Sequence, residues 1–233
     1  MSPNASDRWR PRPLHLLTDR DREFYRWILT SFGAGSPPGA ADLADAASPL
    51  ELDVEPALER LAQADLVHHD PGTGTILVAY PFSGRPTGHR VRLAGRELYA
   101  MCAIDALGIA PMFGEPIEIA SRDPLTTREI LVALTPGGDG RWEPHEAVVV
   151  SGRSGTGESC DSCCPVVNFF ASGATAEQWL ASHPDVDGAV VSMREAIAAG
   201  RAVFGDILTE TTAGEAQRAR TPSGRRQAAT PQR

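Results

Sequence analysis

Cys160-Asp161-Ser162-Cys163-Cys164-Pro165-Val166-Val167-Asn168-Phe169-Phe170 holds three of the chain's four cysteines and runs directly into an apolar stretch that can anchor it. The fourth, Cys102, lies in Leu98-Tyr99-Ala100-Met101-Cys102-Ala103-Ile104-Asp105-Ala106-Leu107. A fold that brings these two stretches together makes a thiolate-rich site with a carboxylate beside it. Such donors suit a soft metal ion, or chemistry performed on one.

Working outward, Cys160-x-x-Cys163 has the spacing of a redox dithiol or of half a zinc site. A redox dithiol starts a helix after a strand, whereas Cys163-Cys164-Pro165 leads into a stretch that reads as a buried strand, Val166 to Ala171, interrupted by Asn168. A zinc site needs four ligands, and adjacent cysteines rarely share one tetrahedral ion. The 6 histidines show no paired metal-ligand spacing. The segment Arg96 to about Leu107 reads as a helix in which Cys102 and Asp105, three residues apart, share a face. Alone, that spacing is a weak signal, and a small buried core cysteine is the better reading of Cys102.

N-terminal to this region, Phe24, Trp27, Ile28 and Ser31 fall at helical spacing from Asp21 onward, and Gly33 to Gly39 ends the pattern. Two short helices follow, Ala40 to Ala47 and a second that Asp53 can cap. The second carries a stripe of Val54, Ala57, Leu58, Leu61 and Leu66. The turn Pro71-Gly72-Thr73-Gly74 and the strand Thr75 to Phe82 complete a winged-helix order. DNA binding by such a module needs a basic recognition helix. Here Arg60 faces Asp53, Glu55, Glu59 and Asp65, so a structural role is the expectation.

Further along, Pro116 to Ser121, Glu129 to Leu134 and Ala147 to Ser151 read as strands, and Thr175 as the cap of a helix from Ala176 to Ser182. Gly188 to Met193 is a short strand, and a last helix runs from Arg194 to about Leu208. The expected fold is α+β: a winged-helix-like helical module over 21–83, then a mixed or antiparallel sheet core with flanking helices over 84–210. Residues 1–20 read as a loose arm, and 211–233 as a disordered basic tail too poor in apolar residues to pack.

The 233 residues are 42% hydrophobic and 22% charged, an ordinary globular composition. The chain contains no lysine, and its net charge of −8 argues against nucleic acid or an anionic membrane as the main partner. No stretch approaches the roughly 20 apolar residues needed to span a bilayer. The polar N-terminus lacks the apolar segment of a secretory signal. These features point to the cytoplasm, where thiols stay reduced and crowded cysteines are reactive or metal-binding rather than a disulfide framework.

Arg96-Glu97-Leu98-Tyr99-Ala100-Met101-Cys102-Ala103-Ile104-Asp105-Ala106-Leu107 resembles the active-site segment of the alkylmercury lyases, which carries a Leu-Tyr-Ala-x-Cys-Ala-x-Asp-x-Leu pattern. Cys164-Pro165-Val166-Val167-Asn168-Phe169-Phe170-Ala171-Ser172 resembles that family's second cysteine segment. Thr175 to Trp179, Gly188 to Ser192 and Glu195-Ala196 extend the likeness, which covers most of residues 20 to 208. The resemblance implies Cys102 and Cys164 as catalytic cysteines and Asp105 as the catalytic aspartate, with Cys163 as the alternative to Cys164. A further cysteine of the family falls near Asp123, where this chain has none, and Cys160 has no counterpart.

The implied reaction is protonolysis of a carbon–mercury bond. One thiolate displaces the group X from R–Hg–X, the second thiol binds, and Asp105 carries the proton to carbon. Hg(II) then remains on Cys102 and Cys164, with Asp105 as a weaker ligand and Cys163 as an additional candidate. No cofactor is required. The implied partners are an organomercurial substrate, cellular thiols, and a mercuric reductase that accepts Hg(II). The alternative, from another class, is a non-catalytic thiolate metal-binding or mercury-sensing protein, in the extreme a winged-helix regulator. Asp105 discriminates, because a binder needs only sulfurs.

Overall fold

The computed structural model describes residues 11–209. The tail expected over 211–233 and the first half of the expected arm lie outside these residues. The second half of that arm is not loose: Leu17 is buried and the Arg12 side chain is only 14% exposed.

Helix α1, Asp19–Gly33, starts where Thr18 accepts a hydrogen bond from the Asp21 N–H. Its inward face is Phe24, Tyr25, Ile28, Leu29 and Phe32. The face expected from the sequence is therefore rotated: Trp27 and Ser31 sit on its shoulder, half-buried. Helices α2, Ala40–Ala47, and α3, Val54–Gln63, pack beside it through Leu43, Ala57, Leu58 and Leu61. Strands β1, Val67–His69, and β2, Ile76–Ala79, form the following hairpin.

The larger sheet continues with β3, Phe82–Ser83, β4, Arg90–Leu93, and β5, Arg96–Ala100. Beyond them come β6, Ile117–Arg122, β7, Glu129–Leu134, and β8, Gly140–Glu143. Its order is β1-β2-β3-β5-β4-β6-β7-β8, with every pairing antiparallel. Antiparallel pairing lets one face stay wet. Along β6 and β7 every second residue is accordingly buried, Ile117, Ile119 and Ser121 on one and Ile130, Val132 and Leu134 on the other.

The segment read as one helix from Arg96 to Leu107 divides in two. Ala94 and Gly95 both have positive φ, 48° and 79°, and close a two-residue hairpin that pairs Leu93 with Arg96. Arg96–Ala100 is thereby drawn into the sheet opposite β4, with Leu98 and Ala100 inward. The helix α4, Ala103–Phe113, begins only after Cys102. Helical periodicity in the sequence could not reveal this break, because the turn that sets it lies upstream.

Every residue of α4 from Ala103 to Ala110 is buried, the pattern of a helix enclosed on all sides. Its main neighbour is α7, Met193–Phe204, and the two backbones approach at paired glycines. A Cβ on Gly200 would lie 2.8 Å from the Gly108 nitrogen, and one on Gly108 would lie 2.3 Å from Phe204 Cδ2.

A second sheet, β10-β9-β11, joins β9, Val148–Ser154, to β10, Asn168–Phe170, and β11, Val186–Ser192. Helix α6, Gly173–Ala181, covers it with Ala176 and Trp179 over Val150 and Phe170. Its N-cap is Ser172, with Thr175 at the third helical position completing a reciprocal pair of cap bonds, so the cap lies three residues before the expected one. One short helix, α5, Ser159–Ser162, connects β9 to the cysteines. The architecture is a mixed α+β fold built from antiparallel sheets.

Candidate active site

Cys102 is the N-cap of α4, with extended backbone, and its sulfur accepts the Asp105 N–H at 3.4 Å. Thiol and carboxylate therefore meet as N-cap and third helical residue, not as two positions on a helix flank. A helix N-terminus favours negative charge, which suits a thiolate there.

The second cysteine segment is brought to this point by backbone hydrogen bonds. The Ala103 N–H, in the first turn of α4, donates to the Val167 carbonyl at 3.0 Å. The N–H groups of Cys163 and Cys164 both donate to the Ser159 carbonyl. Ser159 is itself fixed, its N–H donating to Asp65 Oδ2 at 3.2 Å and its hydroxyl to the same oxygen at 2.5 Å. Downstream, Asp123 accepts from Ala171 N–H and Thr175 Oγ1, both at 2.8 Å, and from Leu125 and Thr126 N–H in its own turn.

These restraints place one ligand atom each of Cys102, Asp105 and Cys164 within 4.8 Å of one another, all buried. Cys164 Sγ lies 3.8 Å from Asp105 Oδ2. Cys163 is half-buried and turns away, its sulfur 3.6 Å from Ser162 Oγ. Among the described residues it joins no such cluster. Of the two neighbouring cysteines, Cys164 faces Asp105. The remaining one, Cys160, is half-buried beside Glu158, with its sulfur 3.9 Å from Oε2.

Arg12 is the residue that sequence reasoning missed. Its guanidinium lies over the Tyr80 ring at 4.0 Å, 3.8 Å from Asp105 Oδ1 and 3.7 Å from Asp65 Oδ2. A cation thus sits in the interior between two carboxylates, as a buried charge must. An arginine in a proline-rich terminal stretch carries no local signal of this role.

Burial dominates the electrostatics. It pushes the Asp105 carboxyl up to about 6, against the pull of Arg12 and the two thiols. It also holds the Cys102 thiol well above its ordinary range, reinforced by the hydrogen bond that this thiol gives to Cys164. For Cys164 that same bond is the largest influence and works downward, yet burial and the Asp105 charge leave the thiol raised. Burial thus favours the neutral thiol at both cysteines, while Arg12 counters it at the Asp105 carboxyl.

A groove of about 500 Å³ on the wet face of the large sheet is lined by Arg90, Glu97, Glu118 and Trp142. It contains no thiol and lies away from this chemistry. His89 is buried against Ser121 and the Phe169 ring, and burial lowers it to about 4, so it is neutral core.

Fold and site together define an α+β protein with a buried dithiol–carboxylate centre suited to soft metals. The family model described as alkylmercury lyase (MerB) matches residues 82–205, and the chain belongs to that family. The alkylmercury lyase of Staphylococcus epidermidis is 30% identical over 179 residues, 76% of this chain and 79% of that protein. That of Bacillus cereus is 28% identical over 180 residues, covering 76% and 78%. A solved structure described as the mercury-bound form of MerB2 superposes with a TM-score of 0.70 at 22% identity, covering 84% of this chain and 94% of that one.

Proposed function

We propose that this protein cleaves the carbon–mercury bond of organomercurials by protonolysis, with Cys102, Cys164 and Asp105 as its catalytic residues. The single observation that carries the reading is the convergence of both thiols on an Asp105 carboxylate that Arg12 keeps ionisable. A sequestering or sensing protein needs sulfurs alone, and has no use for a tuned proton carrier among them.

The atoms balance as follows. Cys164 forms a sulfur–mercury bond and X departs with the thiol proton, X being commonly a cellular thiolate. Cys102 then binds mercury, and its proton passes to the Asp105 carboxylate, an effective acceptor near neutral pH because its pKa lies close to 6. Two sulfur donors enrich mercury with electrons and polarise the bond to carbon. Asp105 delivers the proton to carbon as the carbon–mercury pair becomes the new carbon–hydrogen bond. R–H leaves, and Hg(II) remains on the two sulfurs with Asp105 as a weaker oxygen ligand. No resident cofactor takes part.

The module of α1 to α3 with the β1–β2 hairpin is read as winged-helix-like and structural. Arg60 of α3 is bound to Asp21 at 2.7 Å, and Glu55 and Glu59 are exposed around it, a poor surface for phosphates. No helix of the described residues is long and apolar enough to cross a membrane. The reading places the enzyme in the cytoplasm, where a mercuric reductase accepts its Hg(II).

Incubation with methyl- or phenylmercury and excess thiol tests it, with methane or benzene release as the readout. The wild type and Cys163→Ser are expected to release hydrocarbon at comparable rates, while Cys102→Ser and Cys164→Ser fall to the uncatalysed background. Asp105→Ala is expected to bind Hg(II) but turn over about 10²–10⁴-fold more slowly, the usual worth of a positioned proton carrier. Full release by Cys102→Ser, or unchanged turnover by Asp105→Ala, would overturn the mechanism.

A further inference from the structure

His68, Glu158 and Cys160 form a second cluster, with one ligand atom from each within 4.8 Å of the others. His68 Nδ1 lies 3.3 Å from Glu158 Oε2, and the Cys160 sulfur lies 3.9 Å from the same oxygen. Unlike the catalytic trio, these side chains are partly open to solvent. The other imidazole nitrogen, Nε2, meets Asp65 Oδ1 at 2.9 Å. A carboxylate behind a histidine is how proteins fix the ring of a metal-ligating imidazole, leaving the outward nitrogen aimed at the ion.

The second observation is Tyr80. Its ring is fully buried and stands edge-on to His68 at 5.8 Å. The hydroxyl faces the thiols of both Cys160 and Cys164. It makes no close hydrogen bond to either and is left without a partner although buried. Unsatisfied buried hydroxyls are costly, so one held between two sulfurs points to a species that passes or rests there. Asp65 also links the sites, touching His68, Ser159 and Arg12, and Arg12 touches Asp105 in turn.

We propose that Cys160, His68 and Glu158 form a second, solvent-facing site for a thiophilic divalent cation, which receives the Hg(II) product from Cys164 before release. This rests on the lyase reading. The transfer is a ligand exchange: a Cys160–mercury bond forms and the Cys164– and Cys102–mercury bonds break in turn, the Cys160 thiol proton ending on the Cys164 sulfur and a proton from solvent at the open site ending on the Cys102 sulfur. No electrons change hands. Imidazole and carboxylate complete a mixed donor set that holds the ion less tightly than two thiolates and leaves it accessible to an incoming thiol.

Cadmium(II) titration of the triple variant Cys102→Ser/Cys163→Ser/Cys164→Ser, in which Cys160 is the remaining thiol, tests the site without any turnover. One equivalent is expected to bind with a sulfur-to-cadmium absorption band. Adding His68→Ala or Glu158→Gln should each weaken binding by roughly tenfold or more. Glu158 is 56% exposed on its side chain, so Glu158→Gln leaves the fold intact. No binding, or binding indifferent to both changes, would overturn the site whatever the enzyme's activity. In the otherwise native protein, Cys160→Ser is expected to keep single-turnover hydrocarbon release while Hg(II) passes more slowly to added dithiothreitol. Transfer at the native rate would overturn the hand-over role, and absence of hydrocarbon from the native protein would instead sink the lyase reading.

Discussion

The two halves of the dithiol–carboxylate centre are mounted in different ways. Cys102 and Asp105 sit at the start of α4, a helix buried from Ala103 to Ala110 and locked against α7 through Gly108 and Gly200. Cys164 sits in an irregular segment that packs Val167 and Phe169 into the core and is held besides by polar bonds, from Asp65 through Ser159 and from Asp123 through Ala171 and Thr175. One half is a regular helix enclosed by packing, and the other an irregular segment that needs side-chain hydrogen bonds as well as packing to hold its course. Packing resists displacement in every direction, whereas a hydrogen-bonded segment can adjust when its ligand changes. The difference suits a reaction in which a fixed proton carrier serves a thiol that must meet substrates of varied shape.

The largest effect is expected on the hydrogen-bonded half. Asp123→Ala orphans the buried donors that converge on that carboxylate, each costing about 1–3 kcal/mol. A thermal melt should show strong destabilisation, and hydrocarbon release by the folded fraction should fall because the Cys164 segment is no longer fixed. Retention of native activity and melting temperature would break the contrast. On the packed half, Gly200→Ala forces a methyl against the Gly108 backbone and should cost about 1–3 kcal/mol. That amounts to a fall of several degrees in melting temperature for a chain of this size. Below the transition, activity should hold, since overpacking weakens the mount without unseating the thiol.

The smallest effect is the one that joins the halves. In the proposed mechanism Asp105 accepts the proton in its ionised form, so turnover should fall as the pH drops below about 6. Arg12 favours the ionised carboxylate. Arg12→Met removes that favour and raises the Asp105 pKa, so the acid limb of the pH–rate profile should move to higher pH by roughly one unit or more. An unmoved limb would sever Arg12 from the proton carrier and leave it a packing residue.

Much of the site was legible because its chemistry is local. Cys102 and Asp105 are three apart, and that spacing holds whether they share a helix face or, as found, an N-cap and the third helical residue. The strand–helix break before them was not legible, since β5 is strand only because the Ala94-Gly95 turn returns it onto β4. The face of α1 was legible to within one rotation, because helical spacing fixes a stripe but not which edge of it the neighbouring helices cover.

Residue order alone determined that two cysteine segments some sixty residues apart carry the thiols and a carboxylate, and which protein family those segments resemble. Tertiary structure alone decided that Cys164 rather than Cys163 faces Asp105, since the shared Ser159 carbonyl orients the two N–H groups and leaves the side chains to diverge. It alone brought Arg12 out of an apparently idle terminal stretch to Asp105, and set Asp65, His68 and Tyr80 beside the thiols. Bond geometry near a residue is written in its neighbours along the chain. Charge burial and the meeting of distant side chains depend on which surfaces exclude water together, and that is fixed only when the whole core closes.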